Sequence, residues 1–182
     1  MTASALRDAS LLTILDVEAS GFGTGGYPIE VGFVSGDGSA YCTLIRPAAG
    51  WTYWDPAAEA VHGISRDLLA GRGREVMEVA RDLNERLHGK TVYSDGWAND
   101  YAWLGLLFEE AGLVPRFRLE SLRSLLTDEE AGRWHAAKDA ALAELASGRH
   151  RASGDAQVLR KALLRVKGIS QGARAPAGRI SG

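Results

Sequence analysis

Cysteine is nearly absent from this chain: Cys42 is the only one in 182 residues. One thiol cannot close an intrachain disulfide, and no CxxC or Cys/His spacing is present to build a zinc site. A reducing, cytoplasmic setting is the default expectation for such a sequence. Long apolar runs are missing as well. The longest early one, Leu11 to Leu15, is far too short to span a bilayer and leads straight into acids. Neither a signal peptide nor a transmembrane helix is expected, and no membrane partner. Nor is there an excess of positive charge, since 21 Lys and Arg stand against 23 Asp and Glu for a net charge of −2. That balance argues against a protein that grips long duplex DNA electrostatically, while leaving room for an enzyme that holds a short nucleic-acid end through bound metal.

What remains is an ordinary globular composition, 46% hydrophobic and 24% charged, in a chain long enough for one domain with a real core. The domain is expected over residues 1–167. Residues 168–182 are rich in Gly, Ala, Ser and Arg without an apolar period, and read as a flexible tail.

The stretch around which the rest is organised is Leu11 to Glu18, Leu-Leu-Thr-Ile-Leu-Asp-Val-Glu. An unalternating aliphatic run of this length reads as a strand buried on both faces, as in the middle of an α/β sheet. Side chains alternate along a strand, so Asp16 and Glu18 project from one face, one pleat period apart. Two such anions repel by roughly 4 kcal/mol at about 4 Å in an effective dielectric near 20. A divalent cation held by carboxylate oxygens would relieve that repulsion. On this stretch alone, a metal site and a polar turn after the strand both account for the acids.

The glycine-dense turn Ser20 to Gly26 leads into a second strand, Ile29 to Val34. It lacks the GxxxxGK[ST] pattern of a phosphate cradle. Gly36-Asp37-Gly38 is a hairpin signal before a third strand, Ala40 to Ile45, so the sheet begins as an antiparallel meander. An aromatic-rich loop with Trp51, Tyr53 and Trp54 then runs to His62. Its rings suit either roofing the core or stacking on bases. Helical spacing predicts a short helix capped by Ser65 and a longer one over Arg74 to Leu87. A fourth strand is expected at Lys90 to Tyr93, a helix at about Ala98 to Ala111, and a brief fifth strand at Phe117 to Leu119. Helices follow over Glu120 to Leu126 and Asp128 to Ala146, and a last one ends near Val166.

Two of these helices carry an acid on the core-facing stripe. Asp100 shares its face with Leu104 and Leu107, and Asp155 shares its face with Leu159, Ala162 and Leu163. An unpaired charge on such a face is expensive to bury. Asp155 also has a plain reading, as an acid near a helix N-terminus.

Taken together, Asp16-Val17-Glu18 followed by Ser20-Gly21-Phe22, Asp100 followed by Trp103-Leu104, and His150 four residues clear of Asp155 closely resemble the three motifs of the DEDDh branch of DnaQ-like 3′ to 5′ exonucleases. Val61-His62-Gly63-Ile64 is similar to a segment these proteins carry between the first two motifs. The resemblance spans roughly Leu11 to Val166. It implies an α/β, ribonuclease H-like fold, a mixed five-stranded sheet flanked by helices. It implies release of nucleoside 5′-monophosphates from the 3′ end of single-stranded DNA or RNA, with two Mg²⁺ or Mn²⁺ ions held by Asp16, Glu18, Asp100 and Asp155. In that assignment Asp16 bridges the ions, Glu18 and Asp155 complete one, Asp100 supports the other, and His150 is the general base. By the same resemblance Phe22 wedges beside the terminal base and His62 faces the substrate. Arg149 and Arg151 are candidates for holding phosphate, and a homodimer is compatible with the family.

One departure stands out. Where the family often has His-Asn before the second-motif helix, this chain has Asp95-Gly96. Asp95 then either adds an acid beside the site or serves as a turn residue. Two other functions compete with the exonuclease: a non-catalytic nucleic-acid or polymerase-binding module on the same fold, and a small-molecule phosphoesterase.

Overall fold

A computed structural model of the chain describes residues 12–145 and 151–169. Residues 1–11, residues 146–150 with Arg149 and His150, and nearly all of the expected tail lie outside the described residues.

The apolar run seen in the sequence becomes β1, Thr13–Ala19. It pairs antiparallel with β2, Pro28–Val34, which pairs antiparallel with β3, Ala40–Leu44. The other edge of β1 takes β4, Thr91–Ser94, in parallel, and β5, Arg118–Ser121, extends that side in parallel again. The order β3-β2-β1-β4-β5 is the mixed five-stranded sheet expected, with β1 at its centre.

Both faces of β1 are covered, which is why its sequence does not alternate. Leu15 and Val17 pack with Val31 and Phe33 of β2 against Val79 and Leu83 of α3, Val76–Arg86, and Leu107 and Phe108 of α4, Trp97–Glu110. Ile14 and Val34 face the other way, toward Ala137 and Ala141 of α6, Trp134–Leu145, and Leu159 and Leu163 of α7, Ala152–Val166. Asp16 and Glu18 share the parity of Ile14, so the acids project toward α7. No helix among the described residues is long and apolar enough to cross a membrane.

Three local expectations are corrected. The aromatic loop contains a helix, α1, Pro56–His62, whose start Asp55 caps by accepting from the Ala57 N–H at 2.8 Å, with Pro56 in the first turn. It precedes α2, Arg66–Arg72, capped by Ser65 as expected. The expected helix from Glu120 is replaced by β5 and a single 3-10 turn at Leu122–Leu125, because Glu120 and Ser121 pair with Tyr93 and Ser94. The long helix from Asp128 is broken in two. A Thr127/Glu130 capping box opens α5, Asp128–Gly132, and the chain turns at Arg133 after a glycine of poor helix propensity.

A close approach sets the height of α7 above the sheet. A Cβ on Gly32 would lie 2.4 Å from the Ser153 nitrogen and 2.7 Å from the Ala152 carbonyl carbon. Only glycine allows the first turn of α7 to rest on β2 there. Gly32 is the register partner of Asp16, so this contact also fixes where the acid of α7 meets the acids of β1.

Candidate active site

Asp16 and Glu18 leave the end of β1, and Asp155 enters from the first turn of α7. All three are half-buried, and each offers an oxygen such that the three atoms lie within 4.8 Å of one another. Asp100, in the first turn of α4, is buried at 2% exposure and accepts a hydrogen bond from the hydroxyl of Ser94 at the end of β4. The four acids that the sequence singled out therefore come from three separate elements to one end of the central strand.

Their electrostatics are those of a crowded anionic cluster. The Asp16 carboxyl is held well above the usual range, first by burial and then by Asp100, Glu18 and Asp155, with Lys138 opposing. Burial, then the charges of Asp155 and Glu30, push Glu18 up to about 8. Burial raises Asp100 to about 7, with Ser94 working against the rise and Asp95 adding to it. Raised acids with converging oxygens, and no arginine among the described residues that line the cleft, suit a cation site. A donor set made only of carboxylates fits a hard divalent ion such as Mg²⁺ or Mn²⁺ rather than a soft one.

Asp16, Glu18 and Asp155 open into a cleft of about 410 Å³. It is lined by Ala58, Val61 and His62 of α1 and by Asp95, Asn99 and Trp103. Phe22, carried by the glycine-dense turn, stands 68% exposed at the cleft with its ring 5.7 Å from that of Trp103. His62 lines the cleft but is buried, with Nδ1 accepting from the Ile64 N–H at 3.0 Å. Burial lowers its pKa, so the neutral ring is favoured.

Arg151 is not among the cleft-lining side chains. Its guanidinium Nε donates to both oxygens of Glu30, at 2.9 and 3.0 Å, Nη2 donates to Oε1 at 2.5 Å, and the Ala152 N–H donates to Oε2 at 2.9 Å. Glu30, fully buried on β2, was not singled out from the sequence, although an acid inside an apolar strand is itself the signal. Lys138 is the other residue missed. It reaches from α6 to Asp95, Nζ to Oδ2 at 2.8 Å, and lines the cleft. Nothing in the sequence around it separates it from a surface lysine. Arg149 and His150 lie outside the described residues.

No family model matches the sequence, and no curated protein is similar to it. The fold is nevertheless shared with solved structures. Escherichia coli exonuclease I in complex with a 5cy-dA13 oligonucleotide aligns with a TM-score of 0.62 at 13% identity, over 85% of this chain and 40% of that one. Exonuclease I from Methylocaldum szegediense aligns at 0.60 and 14% identity over 85% and 40%. The zinc-bound form of the E. coli exonuclease I–ssDNA complex gives 0.59 and 14% over 86% and 41%. The chain thus spans about two-fifths of the length of these proteins. The architecture is the ribonuclease H-like one they share.

Proposed function

We propose that the chain is a metal-dependent 3′ to 5′ exonuclease that shortens single-stranded nucleic acid and releases nucleoside 5′-monophosphates. The observation that carries this reading is the convergence of Asp16, Glu18 and Asp155 within 4.8 Å beside the buried Asp100. The fold supports it, since the exonuclease I structures with the same architecture are complexes with single-stranded DNA or an oligonucleotide.

Two divalent ions in such a site would supply Lewis-acid charge that activates water and stabilises the leaving oxygen. Asp16, Glu18 and Asp155 would hold them, with Asp100 in support. In the reaction a water oxygen bonds to the terminal phosphorus and the bond to the 3′ oxygen breaks. The proton released by the water goes to His150, whose imidazole is a suitable acceptor near neutral pH, and the departing 3′ oxygen takes a proton from solvent. Phe22 offers an exposed ring to the last base, where stacking contributes about 1–3 kcal/mol. The neutral, buried His62 shapes the wall of the cleft behind it.

The test is digestion of 5′-labelled RNA, single-stranded DNA and mismatched duplex side by side. At least one strand is expected to shorten one nucleotide at a time with Mg²⁺ or Mn²⁺ and to stay intact with chelator. Full activity in Asp16→Ala would sink the reading. A protein that bound a 3′ end and never cut it under either metal would be a binding module instead.

A further inference from the structure

We propose that Lys138 holds a phosphate of the bound strand inside the cleft and that Asp95 positions it there; the identity of the ligand rests on the exonuclease reading above. Lys138 projects from α6 and meets Asp95, just past β4, at 2.8 Å. Both side chains line the cleft together with Asp16, Glu18 and Asp155, and both remain partly open to it, at 42% and 31% exposure.

Charge gives the pair its meaning. Among the described residues that line the cleft, Lys138 is the one standing cation, since His62 is buried and favoured neutral. Among the described residues, Arg151 is engaged by Glu30 and Arg66 lies over the Trp54 ring at 5.6 Å. Lys138 is also close enough to act on the charge of Asp16, so its ammonium overlooks the acids and not merely the rim. Two divalent ions would balance the four acids, which leaves the negative charge of an entering phosphodiester to be met by something else. An ammonium carries three donors, and Asp95 takes one of them. Two donors remain for a ligand, and Lys138 lines a cleft whose other described charges are anionic.

Asp95 explains how a long flexible stem can do this. A lysine chain free in solvent loses much of its rotamer freedom when it grips a ligand. Anchored at Asp95, Lys138 is oriented before the strand arrives. The residue that departs from the family's usual pattern thereby acquires a role that neither a turn nor a metal ligand would give it.

The experiment reads binding and cutting separately. Anisotropy of 5′-fluorescein oligothymidylate and oligouridylate is measured with Ca²⁺ in place of Mg²⁺ over a range of salt, for the full chain and for Lys138→Met, Lys138→Gln, Asp95→Ala and the Lys138→Met/Asp95→Ala double variant. Shortening of the same strands is followed in Mg²⁺. Both Lys138 variants are expected to weaken binding about tenfold, with the slope of log affinity against log salt reduced by about 0.7. Asp95→Ala is expected to weaken binding about threefold with the slope kept, and to strengthen it in the Lys138→Met background, where its carboxylate repels the strand unopposed. The inference is overturned if the Lys138 variants bind like the parent, if they lose affinity with an unchanged salt slope, if Asp95→Ala acts alike in both backgrounds, or if the parent binds neither strand. A strand held through Lys138 but never shortened would count against the exonuclease reading alone, and a strand shortened without regard to Lys138 would count against the inference alone.

Discussion

Glu30 and Arg151, 121 positions apart, form a two-oxygen fork that clamps the start of α7 to β2. Glu30 is fully buried, while the Arg151 side chain is 46% exposed. Removing one partner of a buried pair strands the other charge, at a cost of about 3 kcal/mol. Arg151→Met is therefore expected to lower stability by about that amount in a denaturant titration. Glu30→Met/Arg151→Met is expected to recover most of it, because two apolar side chains leave no charge behind. If the single and double variants are equally destabilised, the fork is not what anchors α7.

The rest of α7 on the sheet depends on Gly32, and a methyl group there tests it. Its Cβ would meet backbone atoms of Ala152 and Ser153 at 2.4–2.9 Å. Backbone cannot rotate aside, so Gly32→Ala is expected to cost about 1–3 kcal/mol and to displace Asp155, with activity falling more than stability alone explains. Gly105→Ala is the matched control. It lies inside α4 with nothing near its Cβ, and is expected to stabilise by about 0.5–1 kcal/mol. Thermal melts of both variants separate the two outcomes.

Ser94 donates to Asp100, and its bond draws the Asp100 pKa down against burial. Ser94→Ala removes it, so the carboxyl is expected to ionise at still higher pH than about 7. The acidic limb of a pH–rate profile should move toward alkaline pH, and more Mg²⁺ should be needed for half-maximal rate at neutral pH. An unmoved limb would separate Asp100 from the rate-controlling ionisation.

Stability without metal carries a pH signature of the cluster. The folded value of Glu18 is about 8 against an ordinary 4.5, and Asp100 stands at about 7 against 3.8. Between those limits the folded protein binds more protons than the unfolded chain, so their contribution is complete below the ordinary values and is lost as pH rises through the folded ones. His62, whose pKa is lowered, acts in the opposite direction. The metal-free melting temperature is expected to fall by about 10 °C from about pH 5 to about pH 8. Saturating Mg²⁺ should restore it by mass action. Glu18→Gln should flatten the slope, and a slope that is the same in this variant would remove Glu18 from the account.

Much of the site was legible in the chain. The unalternating run of β1 announced a central strand, the two-residue period put Asp16 and Glu18 on one face, and the helical period put Asp100 and Asp155 on core-facing stripes. These are local patterns, and local geometry is sufficient to read them. Asp55-Pro56 was a readable helix start that the neighbouring aromatics obscured. The break at Arg133 and the strand at Glu120 depend instead on a glycine's weak propensity and on pairing with β4.

The sequence by itself placed four acids at strand and helix periods, with Phe22 after the first pair. Tertiary structure alone decided what surrounds them. Gly32 had to lie beneath Ser153 for α7 to descend, Glu30 had to be buried on β2 before Arg151 could clamp to it, and Lys138 had to cross from α6 to Asp95 before a surface lysine became a cation of the cleft. The physical reason is range. Periodicity acts over a few residues, whereas charge pairing and close backbone approach act across space between segments far apart in the chain.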